Sequence, residues 1–228
     1  MRLEKQLFVL ICAALLLGSC AMMPGFVSDA QVEFEEGLAL FNSGKYQEAI
    51  PRFQRATDLD PNFGRAYLYL GRSYIGLKSW RQALTPLRTA YRLSPEETKR
   101  EALDLLIDAL FAGGIDAFRA GDFGASVEYF KEVLGLQPTS ARARTEFVRA
   151  LIAHGGDSLS KGNLPKAISA YSEAVKLSPD SFEAIFGLAR AFLRNGEISK
   201  ALDAANAAVR VEPGSRELQS FLQELQRR

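Results

Sequence analysis

Apolar residues recur along this chain at the period of a helix, and proline interrupts the pattern at regular intervals. In the stretch GKYQEAIPRFQRATDLDP, Gly44 to Pro61, Ala49, Phe53 and Ala56 fall at i, i+4 and i+7, one face of a 3.6-residue period. The spacing predicts a helix from near Tyr46 that stops before Pro61, because proline does not continue a helix and pushes its predecessor out of the α region. The phrase returns as KSWRQALTPLRTAYRLSP (Lys78–Pro95), GDFGASVEYFKEVLGLQP (Gly121–Pro138), GNLPKAISAYSEAVKLSP (Gly162–Pro179) and GEISKALDAANAAVRVEP (Gly196–Pro213). The closing prolines at 61, 95, 138, 179 and 213 are about 34, 43, 41 and 34 residues apart. A period in that range predicts an all-α solenoid of stacked helix pairs.

The second unit carries the fullest pattern: Tyr67-x2-Leu70-Gly71-x2-Tyr74, then Ala83-x3-Leu87, then Pro95. Gly71 and Ala83 are small enough to let two antiparallel helices approach closely, and Tyr67, Leu70 and Tyr74 share the face between them. These residues resemble the tetratricopeptide repeat. The resemblance covers residues 30–215 and implies a right-handed superhelix of five repeats, at 30–63, 64–97, 107–140, 148–181 and 182–215. Repeat one keeps Gly37, Gly44 and Pro61 but has Glu33 and Glu36 where large apolar residues are usual, which suits an outer face that meets water. Residues 98–106 and 141–147 are additional and continue the apolar stripe, so the first helices of repeats three and four are expected to be longer than usual. The alternative is a break at Gly113-Gly114 and Gly155-Gly156, since each glycine costs about 1 kcal/mol relative to alanine in a helix. Residues 216–228 put Leu218, Phe221, Leu222 and Leu225 on one side, as expected of a capping helix.

The N-terminus changes the compartment. Arg2 and Lys5 precede an unbroken apolar run, Leu7–Leu17, too short to span a bilayer but suited to a signal-peptide core. Leu17-Gly18-Ser19-Cys20 resembles the lipobox of bacterial lipoproteins; a plain secretory signal with an incidental cysteine is the other reading. The resemblance implies a signal peptide at 1–19, lipidation of the Cys20 thiol, and acylation, for example with palmitate. It also implies an outer-membrane address, because Ala21 stands where aspartate would favour the inner membrane. Two or three acyl chains anchor firmly where one does not. Residues 20–29 would then be a lipidated start and short spacer holding the body close to the membrane, in the periplasm. Cleavage removes Cys12, so the mature chain has no intramolecular disulfide.

Composition adds mainly exclusions. A formal net charge of +1 argues against a nucleic-acid partner. The single histidine, His154, and the one cysteine kept after cleavage leave no Cys/His zinc set. Ser158-x-x-Lys161 matches a catalytic motif by letters alone, without its companions, and Gly44-Lys45-Tyr46 lacks the hydroxyl residue of a phosphate loop. No enzyme, cofactor or metal is expected.

In tetratricopeptide arrays the first helix of each repeat lines the inner surface. The resemblance therefore places a partner-binding groove on Phe34, Phe41, Arg65, Tyr69, Arg72, Phe111, Arg119, Arg149, Phe186, Arg190 and Arg194, with Leu38, Leu68, Ile75, Ile115 and Ile152 beside them. Apolar side chains studded with arginine suit an amphipathic helix or an extended peptide with acidic groups. The paired Lys and Asn that clamp chaperone tails are missing at Glu35, Leu38, Tyr69 and Arg72. The expectation is a scaffold or adaptor binding other envelope proteins. The alternative is a pilotin-like or envelope-assembly factor for a pilus, secretin or outer-membrane protein. Oligomeric state is not legible in the sequence.

Overall fold

The computed structural model describes residues 27–93 and 95–227. The expected signal peptide, Cys20 and the spacer up to residue 26 lie outside the described residues. Among the described residues there are eleven helices and no strand: α1 (Asp29–Asn42), α2 (Tyr46–Leu59), α3 (Gly64–Gly76), α4 (Trp80–Leu93), α5 (Glu96–Arg119), α6 (Phe123–Leu136), α7 (Ala141–Ser160), α8 (Leu164–Leu177), α9 (Phe182–Arg194), α10 (Ile198–Val211) and α11 (Arg216–Gln226). None is long and apolar enough to cross a membrane.

Each helix packs on the ones before and after it, which makes an open stack of antiparallel pairs. The odd-numbered helices α1, α3, α5, α7 and α9 are the first members of the pairs. α1 also packs on α3, α3 on α5 and α7 on α9, while no two second helices pack comparably among the described residues. Elements on the inside of a curve lie closer together than those outside, so the first helices line the concave face.

Local chemistry explains the corners. Ser28, Asp122, Ser140, Asn163, Ser181 and Ser215 each accept a hydrogen bond from a first-turn backbone N–H of the helix they precede. Within pairs, the turn residue is left-handed: Gly44, Gly121, Gly162 and Gly196 have φ between 75° and 80°. In the second pair that place is taken by Lys78, at φ 56°.

Close approach depends on small residues. A Cβ added at Gly71 would come within 2.5 Å of the Leu87 side chain, and Ala83 opposite is fully buried. Gly37 faces Phe53, Gly114 faces Phe130, and Gly155 faces Tyr171 in the same manner. α5 and α7 run unbroken through Gly113-Gly114 and Gly155-Gly156, at 24 and 20 residues against 13 or 14 in the other first helices, which settles the alternative left open by the sequence. Their glycines sit against aromatic rings, and ring packing offsets the low helix propensity.

The two ends differ from the middle. Glu33 and Glu36 of α1 both grip Arg52 of α2, at 3.0 and 2.9 Å, and the hydrogen bond to Glu33, with the charges of Glu36 and Glu33 behind it, holds the guanidinium above the usual arginine range. At the other end Leu218, Phe221 and Leu225 of α11 join the cluster formed by Ile185, Phe186 and Leu193 of α9 with the alanines of α10.

Candidate partner-binding groove

The concave face is built from aromatic rings and arginines carried by consecutive first helices. At its start, Phe34, Phe41, Phe53, Phe63 and Tyr69 form one aromatic cluster, with Phe34 and Phe41 edge-on to Tyr69 at 5.6 and 5.2 Å. Arg65 lies over Phe34 at 5.1 Å, and Arg72 lies over Phe41 and Tyr69 at 5.4 and 5.0 Å. A guanidinium resting on a ring keeps its in-plane N–H donors free for an acceptor in the groove. Arg72 spends one of them on Glu101 of α5, at 3.0 Å.

The arrangement recurs further along. Arg142 lies over Phe111 at 4.1 Å and Arg149 over Phe118 at 4.5 Å, joining α7 to α5 as Arg65 and Arg72 join α3 to α1. Arg149 also faces Glu146 of its own helix at 3.6 Å, and exposed Arg119 faces Asp116 at 3.5 Å. Arg190 reaches Phe186 at 5.9 Å and Glu217 of α11 at 3.6 Å.

The structure divides the expected groove residues by role. Phe34 is fully buried and Phe186 is 5% exposed, so both serve packing and leave a partner almost nothing to touch. Leu68 is likewise buried, in the core between α3, α4 and α5. Arg194 donates to the Leu159 carbonyl at 2.7 Å, satisfying the C-terminal turn of α7. Phe41, Tyr69, Phe111 and Arg72 are half-buried, and Arg65, Arg119, Arg149 and Arg190 are exposed. Leu38, Ile75, Ile115 and Ile152 are half-buried between them.

A depression of about 580 Å³ opens where α5 meets α7, walled by Trp80, Phe111 and Ile115 with Arg119 and Arg142 at its rim. Trp80 separates it from a cleft of about 970 Å³ between α4 and α6. The indole Nε1 donates to Asp116 at 2.6 Å, and the far side of the cleft is bridged by Arg88 and Glu132. The cleft carries both signs of charge in equal measure, from Lys78, Arg81, Arg88 and Lys131 against Asp116, Asp122, Glu128 and Glu132, so it favours no charged ligand.

Sequence reasoning missed Arg142, Phe118 and Trp80. The signal for the first two was present: Phe34 to Arg65, Phe41 to Arg72, Phe111 to Arg142 and Phe118 to Arg149 are each 31 residues apart.

His154 packs beside Gly124 at the start of α6. Ser158 is buried, while Lys161 points to Asp157 at 2.8 Å. Among the described residues no group of His, Cys, Asp and Glu could hold a metal ion. Tyr171, clamped between Gly155 and Gly187, has its phenol pushed up by burial, with Arg190 opposing.

The tetratricopeptide-repeat family matches the chain at residues 34–98 and 158–225. No curated protein sequence matches it. Among solved structures, a TPR repeats protein from Bacteroides fragilis superposes with a TM-score of 0.53 at 15% identity, over 87% of this chain and 98% of that one. A thermophilic TPR protein of Thermus thermophilus gives 0.39 at 22% identity, over 86% and 98%. At 15% identity the likeness to the Bacteroides fragilis protein is one of fold.

Proposed function

The chain belongs to the tetratricopeptide-repeat family, and we propose that it is an outer-membrane-anchored scaffold whose concave face binds a peptide or helix of another envelope protein. Tetratricopeptide-repeat proteins are in general non-enzymatic interaction scaffolds. The observation that carries the groove is the series of exposed guanidinium edges and half-buried rings presented by consecutive first helices on one side of the stack. Such a surface offers apolar contact and directed N–H donors together, the combination that an acidic amphipathic segment needs.

The anchor rests on the sequence. Leu17-Gly18-Ser19-Cys20 follows an apolar run of signal-peptide length, and Ala21 follows the cysteine. Lipid on Cys20 would tether the solenoid at its first repeat and leave the groove free in the periplasm.

The test is Cys20→Ser in the producing cell, with labelled palmitate and membrane fractionation. The reading requires label on the wild type, no label on the variant, and loss of the variant from the outer-membrane fraction. Unlabelled wild type in the soluble periplasm would discard the anchor while leaving the groove standing.

A further inference from the structure

The groove arginines are organised as a duplicated set. Shifting the chain by 77 residues lays 30–74 on 107–151 without a gap and superposes Phe34 on Phe111, Phe41 on Phe118, Arg65 on Arg142 and Arg72 on Arg149. Gly37, Gly44, Phe53 and Pro61 fall on Gly114, Gly121, Phe130 and Pro138 in the same shift. The structure keeps the correspondence in space, because each of the four arginines lies over its own aromatic partner on the preceding first helix.

The members of the set are not equally satisfied. Arg72 and Arg149 each have a glutamate within 3.6 Å. Arg65 and Arg142, both exposed, have no carboxylate partner among the described residues. Both sit in the first turn of a helix, where a cation opposes the helix dipole and gains nothing locally. An exposed guanidinium held on a ring, in the place where the dipole disfavours it, with its N–H edge unused, is a prepared donor site for a carboxylate.

We propose that the groove holds two equivalent carboxylate-binding subsites, Arg65 on Phe34 and Arg142 on Phe111, and that one extended acidic segment of the partner fills both. This rests on the groove being the binding face. The subsites are two first-helix steps apart, roughly 20 Å at about 10 Å for each packed step, the α5–α7 step being spanned by the Arg142–Phe111 and Arg149–Phe118 contacts. An extended segment covers that distance in about six residues. The partner therefore presents Asp or Glu side chains about six residues apart, with apolar residues between them against Tyr69, Ile75 and the Phe111–Ile115 wall.

The test selects a phage-displayed library of random twelve-residue peptides on the full chain and titrates the winners against four variants: Arg65→Glu, Arg142→Glu, Arg190→Glu and, on the convex side, Arg81→Glu. Circular dichroism checks that each variant is folded. The expected winners carry two acids five to seven residues apart. Arg65→Glu and Arg142→Glu weaken them by similar factors, about tenfold each, and Arg81→Glu leaves them unchanged. Winners with one acid or none, or indifferent to either of the two arginines but weakened by Arg190→Glu, overturn the paired subsites and leave the groove intact. Winners lost only with Arg81→Glu, or no winners at all, overturn the groove itself. Anionic vesicles of phosphatidylglycerol, tested in parallel, should not displace the winners; displacement that depends on Arg65 would assign these arginines to a lipid surface and end the proposal.

Discussion

Gly113 and Gly114 are neighbours in α5, and adding one methyl group to each should affect stability differently: a gain at Gly113, and no gain or a loss at Gly114. Both have ordinary helical φ, so in either case replacing glycine with alanine gains about 1 kcal/mol of helix propensity. At Gly113 the new Cβ meets Trp80 Cβ at 3.4 Å and Tyr129 Cζ at 3.5 Å, ordinary contact distances. The gain survives there, and Gly113→Ala should raise the melting temperature by about 2–4 °C for a chain of this size. At Gly114 the new Cβ lands 2.9 Å from Phe130 Cζ and 3.1 Å from both Cε atoms. Phe130 is fully buried and lies edge-on to Phe111 at 5.3 Å, so its ring has nowhere to retreat. Overpacking of this kind costs roughly 1–3 kcal/mol, which cancels or outweighs the propensity gain and separates the two variants by that amount. Urea titration followed by far-ultraviolet circular dichroism, with both variants beside the wild type, measures it. Equal stabilisation by the two alanines would refute the tight contact between α5 and α6 on which the packing argument stands.

Lys78 holds a left-handed turn that glycine occupies in the other four pairs, so Lys78→Gly should stabilise the chain by about 0.5–1 kcal/mol, read as a higher urea midpoint; a lower midpoint would mean that the side chain does more than fill the turn. Burial raises the Tyr171 phenol in the folded chain, while in the unfolded chain it titrates near its usual value of about 10. The contribution is thus complete below about pH 10 and is lost as pH rises through the folded value, because the unfolded chain gives up its proton first. Denaturation midpoints taken from about pH 8 to about pH 11 should fall more steeply for wild type than for Tyr171→Phe, and parallel slopes would contradict the burial argument.

The parts of the fold set by local chemistry were readable in advance. The closing prolines and the small residues at Gly71 and Ala83 mark helix ends and close contacts, and each marks them through its own backbone or its own volume. The corner at Lys78 shows the limit, since the repeat geometry imposes the left-handed turn even where the residue opposes it. Pro51 and Pro86 show the same override: both lie inside helices that a local rule would have divided. The groove was harder to read because helical period locates a face without saying how deep a residue lies on it. Phe34 and Phe41 are two turns apart on α1, yet only Phe41 keeps exposed surface, because Arg65, Phe63 and Tyr69 close over Phe34. Arg194 looked like a groove cation and instead caps α7, a contact 35 residues away that no local pattern announces. The 31-residue Phe–Arg spacing was present in the sequence, but the duplication of the set shows only when the chain is compared with itself at a longer offset than one repeat.

The central claim is that the first helices form the working face, and site-specific photo-cross-linking in the producing cell tests it most directly. A photoreactive residue at Tyr69 or Arg119, both accessible on first helices, is compared with one at Gln82, exposed on the second helix α4. The account predicts that the two groove positions capture the same envelope protein and that Gln82 captures none of it. Capture of that protein from Gln82 alone, or no capture from either groove position while Gln82 is equally silent, would contradict it.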